Sequence, residues 1–255
     1  MGVTYEHYLI PEDDTYRPGP EELARLVNAL CEAGFAARAG AGDFRSTAST
    51  FSTDPQPAEA TGCYVQLGDR GYAPFPCPCL TGDVAALGDD EFKLVWPVGS
   101  TKESGLKYPL VPFPEWGDAY YDLEIRVARD FVYCTSEGID PFDEVKCACG
   151  LDLEYNEPRD DFAKPTIFYD ARIHRTCPSC GEPFHPRRLV AQVRDGRTGE
   201  ATEQAGGATY IFSLVVDCGK GFAREGAWPI RASEEFLGVV TRALGQRFYE
   251  IGTYN

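Results

Sequence analysis

The sequence has few histidines and none of the common catalytic motifs. Its 255 residues include three histidines, and they contain no GxSxG, GxxxxGK[ST], GxGxxG or HExxH pattern. The sequence therefore lacks the usual signatures of α/β-hydrolases, P-loop NTPases, dinucleotide-binding enzymes and zinc metalloproteases. Carboxylates are so numerous that a glycosidase-like pair of acids cannot be singled out.

Long apolar segments and an excess of positive charge are also missing. No run of 18 apolar residues occurs, so we expect no membrane-spanning segment. Residues 1–6 carry neither a basic region nor an apolar run, so we expect no signal peptide. Twenty-four basic residues against 40 acidic ones give a net charge of −16, which opposes attraction of the whole surface to nucleic acid or anionic membrane. A soluble cytoplasmic protein is the expectation.

Cysteine, in contrast, is abundant, and four of the ten cysteines form two close pairs. The first pair lies in Cys147-Ala-Cys149-Gly and the second in Cys177-Pro-Ser-Cys180-Gly. Proline presets one φ angle of the second turn, and the following glycine can adopt the positive φ that lets backbone amides point at a sulfur. Four thiolates on two tight turns can hold one tetrahedral Zn²⁺.

This pattern resembles the two knuckles of a zinc ribbon, over residues 143–188 only. The resemblance implies one structural Zn²⁺ held by Cys147, Cys149, Cys177 and Cys180. Disulfides and free buried thiols are the alternatives, although the other six cysteines are scattered without the pattern of a small secreted domain. His174 and His185 flank the second pair. The alternatives for each are a substitute metal ligand, a hydrogen-bond donor to a sulfur, or a surface side chain beside the site.

The remaining cysteines suggest two further sites. Cys63 with Cys77-Pro-Cys79 offers three ligands for a second metal ion, which Cys31 or Cys134 would have to complete through the fold. Cys218, just after a predicted strand, is the best-placed single nucleophile. The alternative for each is a buried structural cysteine.

Hydrophobic periodicity predicts an α+β fold with a mixed, mainly antiparallel sheet. Helices are predicted at about 20–33 and 233–246, both on one face of the sheet. Strands are predicted at residues 3–10, 61–67, 91–98, 121–134, 166–175, 189–193 and 209–216. The predicted domain organisation is an α+β body made of residues 1–142 and 189–255, with residues 143–188 as an inserted zinc ribbon.

Two segments are candidate partner-binding surfaces. Residues 137–161, around the first cysteine pair, carry nine acids against two basic residues, whereas residues 171–197, around and after the second pair, carry six arginines against two acids. These arms either pair internally or present Arg172, Arg175, Arg187 and Arg188 to phosphates or to an acidic partner. The proline-rich segment 107–121 offers Tyr108, Phe113 and Trp116, which are either interface anchors or caps on the core.

Three functions are compatible with these features. The first is a non-enzymatic acidic adaptor that binds another protein, similar in composition to immunity or adaptor proteins that mask a basic partner. The second is a nucleic-acid-binding protein that uses the arginine-rich side of the ribbon. The third is a thiol- or metal-dependent enzyme.

Overall fold

The chain folds around a large antiparallel sheet with few helices, which confirms the predicted α+β class. The computed structural model describes residues 5–37, 64–67, 72–74, 91–114, 117–134, 145–155, 171–195, 198–218 and 230–254. All strand pairs in these ranges are antiparallel.

The described strands are β1 (Tyr5–Pro11), β2 (Tyr64–Leu67), β3 (Tyr72–Pro74), β4 (Phe92–Ser100), β5 (Leu110–Val111), β6 (Tyr120–Tyr133), β7 (Glu154–Tyr155), β8 (Ala171–Ile173), β9 (Val190–Arg194), β10 (Ala201–Ala205), β11 (Thr209–Asp217), β12 (Arg231–Ala232) and β13 (Phe248–Tyr254). The largest sheet has the order β13-β1-β11-β6-β4-β2-β3, and β8 joins it through β6 and carries β7. The remaining described strands form two pairs, β9 with β10 and β5 with β12.

Each predicted strand has a counterpart among these strands. The agreement is closest for β6 and β11, whose β-branched and aromatic residues fit a pleated surface. Of the predicted strand 166–175, the structure describes residues 171–175, and β8 occupies 171–173. The division into a body and an inserted module stays a prediction.

The helices are α1 (Pro20–Ala33), the short α2 (Thr101–Ser104) and α3 (Glu234–Leu244), so both predicted helices are confirmed. α1 begins with proline at a first-turn position, where its missing N–H costs nothing. α3 begins at Ser233, whose hydroxyl accepts a hydrogen bond from the Phe236 amide at 3.2 Å. Each long helix ends at a glycine with positive φ, Gly34 at +82° and Gly245 at +67°.

The sheet separates two hydrophobic clusters. On one face, α1 and α3 pack on alternate residues of the strands, such as Leu123, Ile125 and Leu214. A second cluster includes Tyr8 and Val215 of the other face, together with residues from β9 and from the cysteine-bearing segments. The cysteine pairs therefore lie on the side of the sheet away from the helices.

Candidate metal centre

The first cysteine pair lies at the tip of a short hairpin, residues 145–153. The Leu153 amide donates to the Val145 carbonyl at 2.8 Å, and the Cys147 amide donates to the Leu151 carbonyl at 2.9 Å. The chain reverses through Gly150, which has a φ of +88° and donates its amide to the Cys147 carbonyl. A side chain there would strain the turn, so glycine is the residue the turn requires.

The second cysteine pair lies at the tip of a matching hairpin, residues 175–184. The Phe184 amide donates to the Arg175 carbonyl at 2.8 Å, and the Cys177 amide donates to the Glu182 carbonyl at 2.9 Å. Gly181 repeats the positive φ, at +75°. Residues 145–153 and 175–184 are called the first and second cysteine hairpins below.

The two cysteine hairpins bring four sulfurs to one point. The Sγ atoms of Cys147, Cys149, Cys177 and Cys180 all lie within 4.8 Å of one another. Cys147 lies 3.5 Å from Cys180, and Cys149 lies 3.6 Å from Cys177. A disulfide requires about 2.05 Å, whereas sulfurs around a tetrahedral Zn²⁺ with Zn–S of ~2.3 Å are about 3.8 Å apart. The donor set and its spacing therefore fit a metal ion and do not fit disulfides.

Backbone amides of the second cysteine hairpin point at its sulfurs. Burial raises the pKa of the Cys177 thiol, but hydrogen bonds from the Cys180 and Ser179 amides, together with contacts to the Cys180 and Cys147 thiols, lower it to about 7. The Glu182 amide lowers the pKa of Cys180, whereas contacts with the Cys147 and Cys177 thiols raise it to about 12. Amides around Cys177 thus favour the thiolate, which is the form that binds metal.

The cysteine hairpins are attached to the main sheet and to its second core cluster. β7 pairs with β8, and β8 pairs with the end of β6. The Phe184 ring meets the Phe131 ring edge to face at 5.8 Å between centroids. Cys147 and Cys177 face this core, whereas Cys149 and Cys180 are exposed. The site is therefore half covered by protein and lies at the surface.

The flanking histidines do not belong to the sulfur group, whose described members are all cysteines. His174 Nδ1 lies 3.5 Å from Asp130 Oδ2, and its ring stacks on Tyr155 at 4.1 Å. His185 Nδ1 lies 3.7 Å from Asp14 Oδ1. Both histidines therefore lie beside the site with carboxylates as neighbours.

Arg172 does not lie on an exposed basic surface, contrary to its grouping with the other arginines. Its side chain is 5% exposed and contacts both carboxylate oxygens of Glu91, at 2.6 and 2.7 Å. A planar guanidinium makes this two-pronged contact with a carboxylate. The Arg172 side chain therefore forms an ion pair inside the fold.

The other candidate arginines lie nearer to the surface. The Arg175 backbone amide donates to Asp130 Oδ1, and its side chain is partly exposed. Arg187 and Arg188 are exposed, and the Arg187 guanidinium lies over the Tyr249 ring at 5.8 Å from its centroid. These three side chains are what remains of the predicted basic surface.

The aromatic segment divides between core and surface. Tyr108 is buried, with its hydroxyl 3.4 Å from Cys218 Sγ, so it is not an exposed anchor. Phe113 is 47% exposed and packs against the Tyr108 ring. Trp116 lies outside the described residues.

Cys218 is unsuited to nucleophilic chemistry in this conformation. It is 2% exposed, and burial raises its pKa to about 12. A thiol that stays protonated and inaccessible at neutral pH does not attack a substrate. The predicted second metal site, Cys63, Cys77 and Cys79, lies outside the described residues.

Sequence reasoning missed a buried charged network on the sheet face opposite the helices. Arg126 Nε lies 2.7 Å from Glu124 Oε2, and its Nη2 lies 2.6 Å from Glu6 Oε1. Lys93 Nζ lies 2.7 Å from Glu124 Oε1. The available signal was alternation within β6, where Asp122, Glu124 and Arg126 interleave with apolar residues.

A second missed cluster lies on the helix side of the sheet. Tyr5 Oη lies 2.8 Å from His7 Nδ1, and His7 Nε2 lies 2.9 Å from Glu250 Oε2. The Ala232 amide donates to the same Glu250 oxygen at 2.6 Å. These buried contacts join β1 to β12 and β13, which are more than 200 residues away in sequence.

Comparisons with protein families, with curated proteins and with solved structures found no match to this chain. Within the described ranges, none of the helices combines the length and the apolar character that crossing a bilayer requires. The function is therefore inferred from the geometry and chemistry of the site itself.

Proposed function

We propose that this chain is a non-enzymatic acidic binding protein, of the adaptor or immunity-like kind, with one structural Zn²⁺ in a zinc ribbon. The observation that carries the zinc assignment is the convergence of Cys147, Cys149, Cys177 and Cys180 from two hairpins. When bound, a four-thiolate zinc has no open position for a substrate, so it stabilises the fold around it.

A binding role is supported by the charge of the chain and by the state of its best nucleophile candidate. The net charge of −16 complements a partner of basic character and speeds its encounter with this protein. The burial of Cys218 weighs against the thiol-enzyme alternative. The proposal includes a cytoplasmic location, where reducing conditions keep thiols available for metal.

Metal analysis tests the zinc part of the proposal. Protein purified without added metal is expected to contain one zinc per chain, and Cys177→Ser is expected to lose it. Cys31→Ser is the matched control, because it makes the same chemical change at a cysteine outside the sulfur group. Wild-type protein without zinc would overturn the assignment.

Affinity capture from the native cells tests the binding part. The full chain, tagged and cross-linked in the cell, is expected to recover a basic protein in a fixed ratio. Failure to enrich any protein over a tag-only control contradicts the proposal, whatever the zinc content.

The exposure of Arg187 and Arg188 favours one second candidate, nucleic-acid binding beside the second cysteine hairpin. Binding to RNA or DNA at low salt should then weaken steeply as salt is raised. Arg187→Ala/Arg188→Ala should reduce the salt dependence by about two phosphate contacts. Absence of binding at low salt would exclude this candidate.

A further inference from the structure

The four members of the sulfur group differ in their access to solvent. Cys149 and Cys180 are exposed, whereas Cys147 and Cys177 face the second core cluster. Each cysteine hairpin therefore contributes one exposed sulfur and one core-facing sulfur. A small reagent from solution reaches the exposed sulfurs first.

Two sulfur contacts cross from one cysteine hairpin to the other, and each joins an exposed sulfur to a core-facing one. Exposed Cys180 lies 3.5 Å from core-facing Cys147, and exposed Cys149 lies 3.6 Å from core-facing Cys177. Shortening either contact to an S–S bond of about 2.05 Å requires an approach of about 1.5 Å. The four cysteines lie outside the strands of the main sheet, so this approach leaves the strand pairing unchanged.

The other described cysteines are less suited to oxidation. Cys134 and Cys218 are buried, and Cys31 is half-buried. The neighbour of the Cys218 sulfur at 3.4 Å is the Tyr108 hydroxyl, which cannot form a disulfide. An accessible sulfur with a second sulfur beside it is the arrangement that makes cysteine oxidation reversible.

We propose that the sulfur group is a peroxide-sensitive redox site that alternates between a reduced, metal-binding form and an oxidised form held by two disulfides. The inference rests on the proposed zinc site, because it states how that site is regulated. In the oxidised form one disulfide joins Cys147 to Cys180 and the other joins Cys149 to Cys177. Both disulfides link the two cysteine hairpins.

Each disulfide forms in two steps, with one molecule of hydrogen peroxide as the oxidant. The exposed thiolate attacks a peroxide oxygen, the O–O bond breaks, and the products are a sulfenic acid and hydroxide. The core-facing thiolate then attacks the sulfenic sulfur, so that the S–S bond forms, the S–O bond breaks and a second hydroxide leaves. Both hydroxides take protons from the solvent and become water. The two sulfurs lose two electrons, and the peroxide gains them.

Oxidation removes the metal-binding form without separating the two cysteine hairpins. Thiolates are the form of cysteine that binds metal, and a disulfide contains none, so the oxidised group loses its affinity for Zn²⁺. The two disulfides then hold residues 145–153 against residues 175–184. A small thiol restores the reduced form by thiol–disulfide exchange.

Disulfide mapping of the wild-type chain tests the proposal. Purified protein is treated with increasing hydrogen peroxide, its remaining thiols are alkylated, and its peptides are identified by mass spectrometry. Disulfides from Cys147 to Cys180 and from Cys149 to Cys177 are expected first, with oxidation of Cys218 at least about tenfold slower. A chromophoric chelator should detect zinc release in step with these disulfides, and dithiothreitol should restore the thiols.

Cys31→Ser is the matched control, because it removes a thiol outside the sulfur group. It is expected to form the same two disulfides at the same rate as wild type. Oxidised protein should also melt at a higher temperature than reduced protein stripped of zinc, because the disulfides constrain the unfolded chain. An oxidised protein that melts at or below the reduced, zinc-free protein would contradict a disulfide-held form.

Two mapping results would overturn the redox site. One is disulfides within a single hairpin, from Cys147 to Cys149 or from Cys177 to Cys180, as the main products. The other is sulfinic or sulfonic acid at Cys149 and Cys180 in place of disulfides. Either result in a zinc-containing protein leaves the zinc assignment standing, whereas a protein purified without zinc that forms the two expected disulfides loses only that assignment.

Discussion

Among single residues, Asp122 is the clearest case of a charge placed in an unfavourable environment. Its pKa is raised to about 7 by burial and by the charges of Asp217 and Glu124, against about 3.9 in an unfolded chain. The folded state therefore binds this proton more tightly. Protonation of Asp122 therefore stabilises the folded state fully below about pH 4, and this stabilisation is lost as the pH rises through 7.

We expect Asp122→Asn to raise stability at pH 8 by about 1 kcal/mol, because it removes repulsion between opposite-strand carboxylates. For a chain of this size that is ~2–4 °C in melting temperature. Melts by circular dichroism at pH 8 and pH 4 would measure this, with the smaller gain at pH 4. An equal change at both pH values would contradict the assigned cause.

The Arg172–Glu91 pair shows how much burial changes the contribution of an ion pair to the free energy of unfolding. Arg172→Met leaves the Glu91 carboxylate largely buried without its partner, and we expect a loss of about 3–5 kcal/mol by urea denaturation. The double variant Arg172→Met/Glu91→Met should recover part of that loss.

Arg247→Met is the matched control for this experiment. Its exposed pair with Glu12, at 3.0 Å, should be worth less than about 1 kcal/mol. Similar losses in Arg172→Met and Arg247→Met would show that burial of the first pair does not determine its contribution.

At the scale of elements, the glycine that ends α1 and the glycine inside α3 have opposite effects on stability. Gly34 ends α1 with a φ of +82°, and a Cβ there meets nothing closer than 4.0 Å, so Gly34→Ala suffers from backbone strain of about 1 kcal/mol. Gly238 lies inside α3, where a Cβ would meet the flexible end of Arg242 at 3.2 Å. Gly238→Ala should gain about 0.5–1 kcal/mol from helix propensity.

Urea denaturation of the two alanine variants measures both effects with the same chemical change. Destabilisation by Gly34→Ala together with stabilisation by Gly238→Ala is the expected result. If both substitutions lower stability, the Arg242 side chain does not move aside as expected.

The same elements show why sequence reasoning succeeded locally. The helices were predictable because Leu23, Leu26 and Leu30 repeat with the period of one helical face. The cysteine hairpins were predictable because each turn needs glycine just after its second cysteine. The positions of Arg172 and Tyr108 were not predictable, since their burial depends on strands that pack from distant parts of the chain.

At the scale of the whole molecule, the second core cluster couples the proposed zinc site to the main sheet. Ile173 and Phe184 from the cysteine-bearing segments belong to the same cluster as Tyr8, Val215 and Ile251 of the main sheet. Loss of the metal should therefore weaken the whole fold, because zinc affinity is coupled to folding.

We expect a strong chelator to lower the main melting transition of the wild-type chain by several degrees, without creating a separate early step. Differential scanning calorimetry with and without chelator measures this, and added Zn²⁺ should restore the original curve. Cys177→Ser should already melt at the lower temperature and be insensitive to the chelator. A wild-type curve unchanged by complete zinc removal would show that the site does not stabilise the body.

The sequence by itself determined the features that depend on near neighbours. Helix periods, strand alternation, turn glycines and the two cysteine pairs are set within a few residues, so they could be recognised without the fold. The net charge and its excess of carboxylates were likewise fixed by composition.

Only the tertiary structure decided which distant residues meet. Strand order and register placed Glu6, Asp122 and Asp217 in one row, and they buried Cys218 beneath Tyr108. Both outcomes follow from pairing between strands far apart in sequence, where a shift of one residue would turn every side chain to the opposite face.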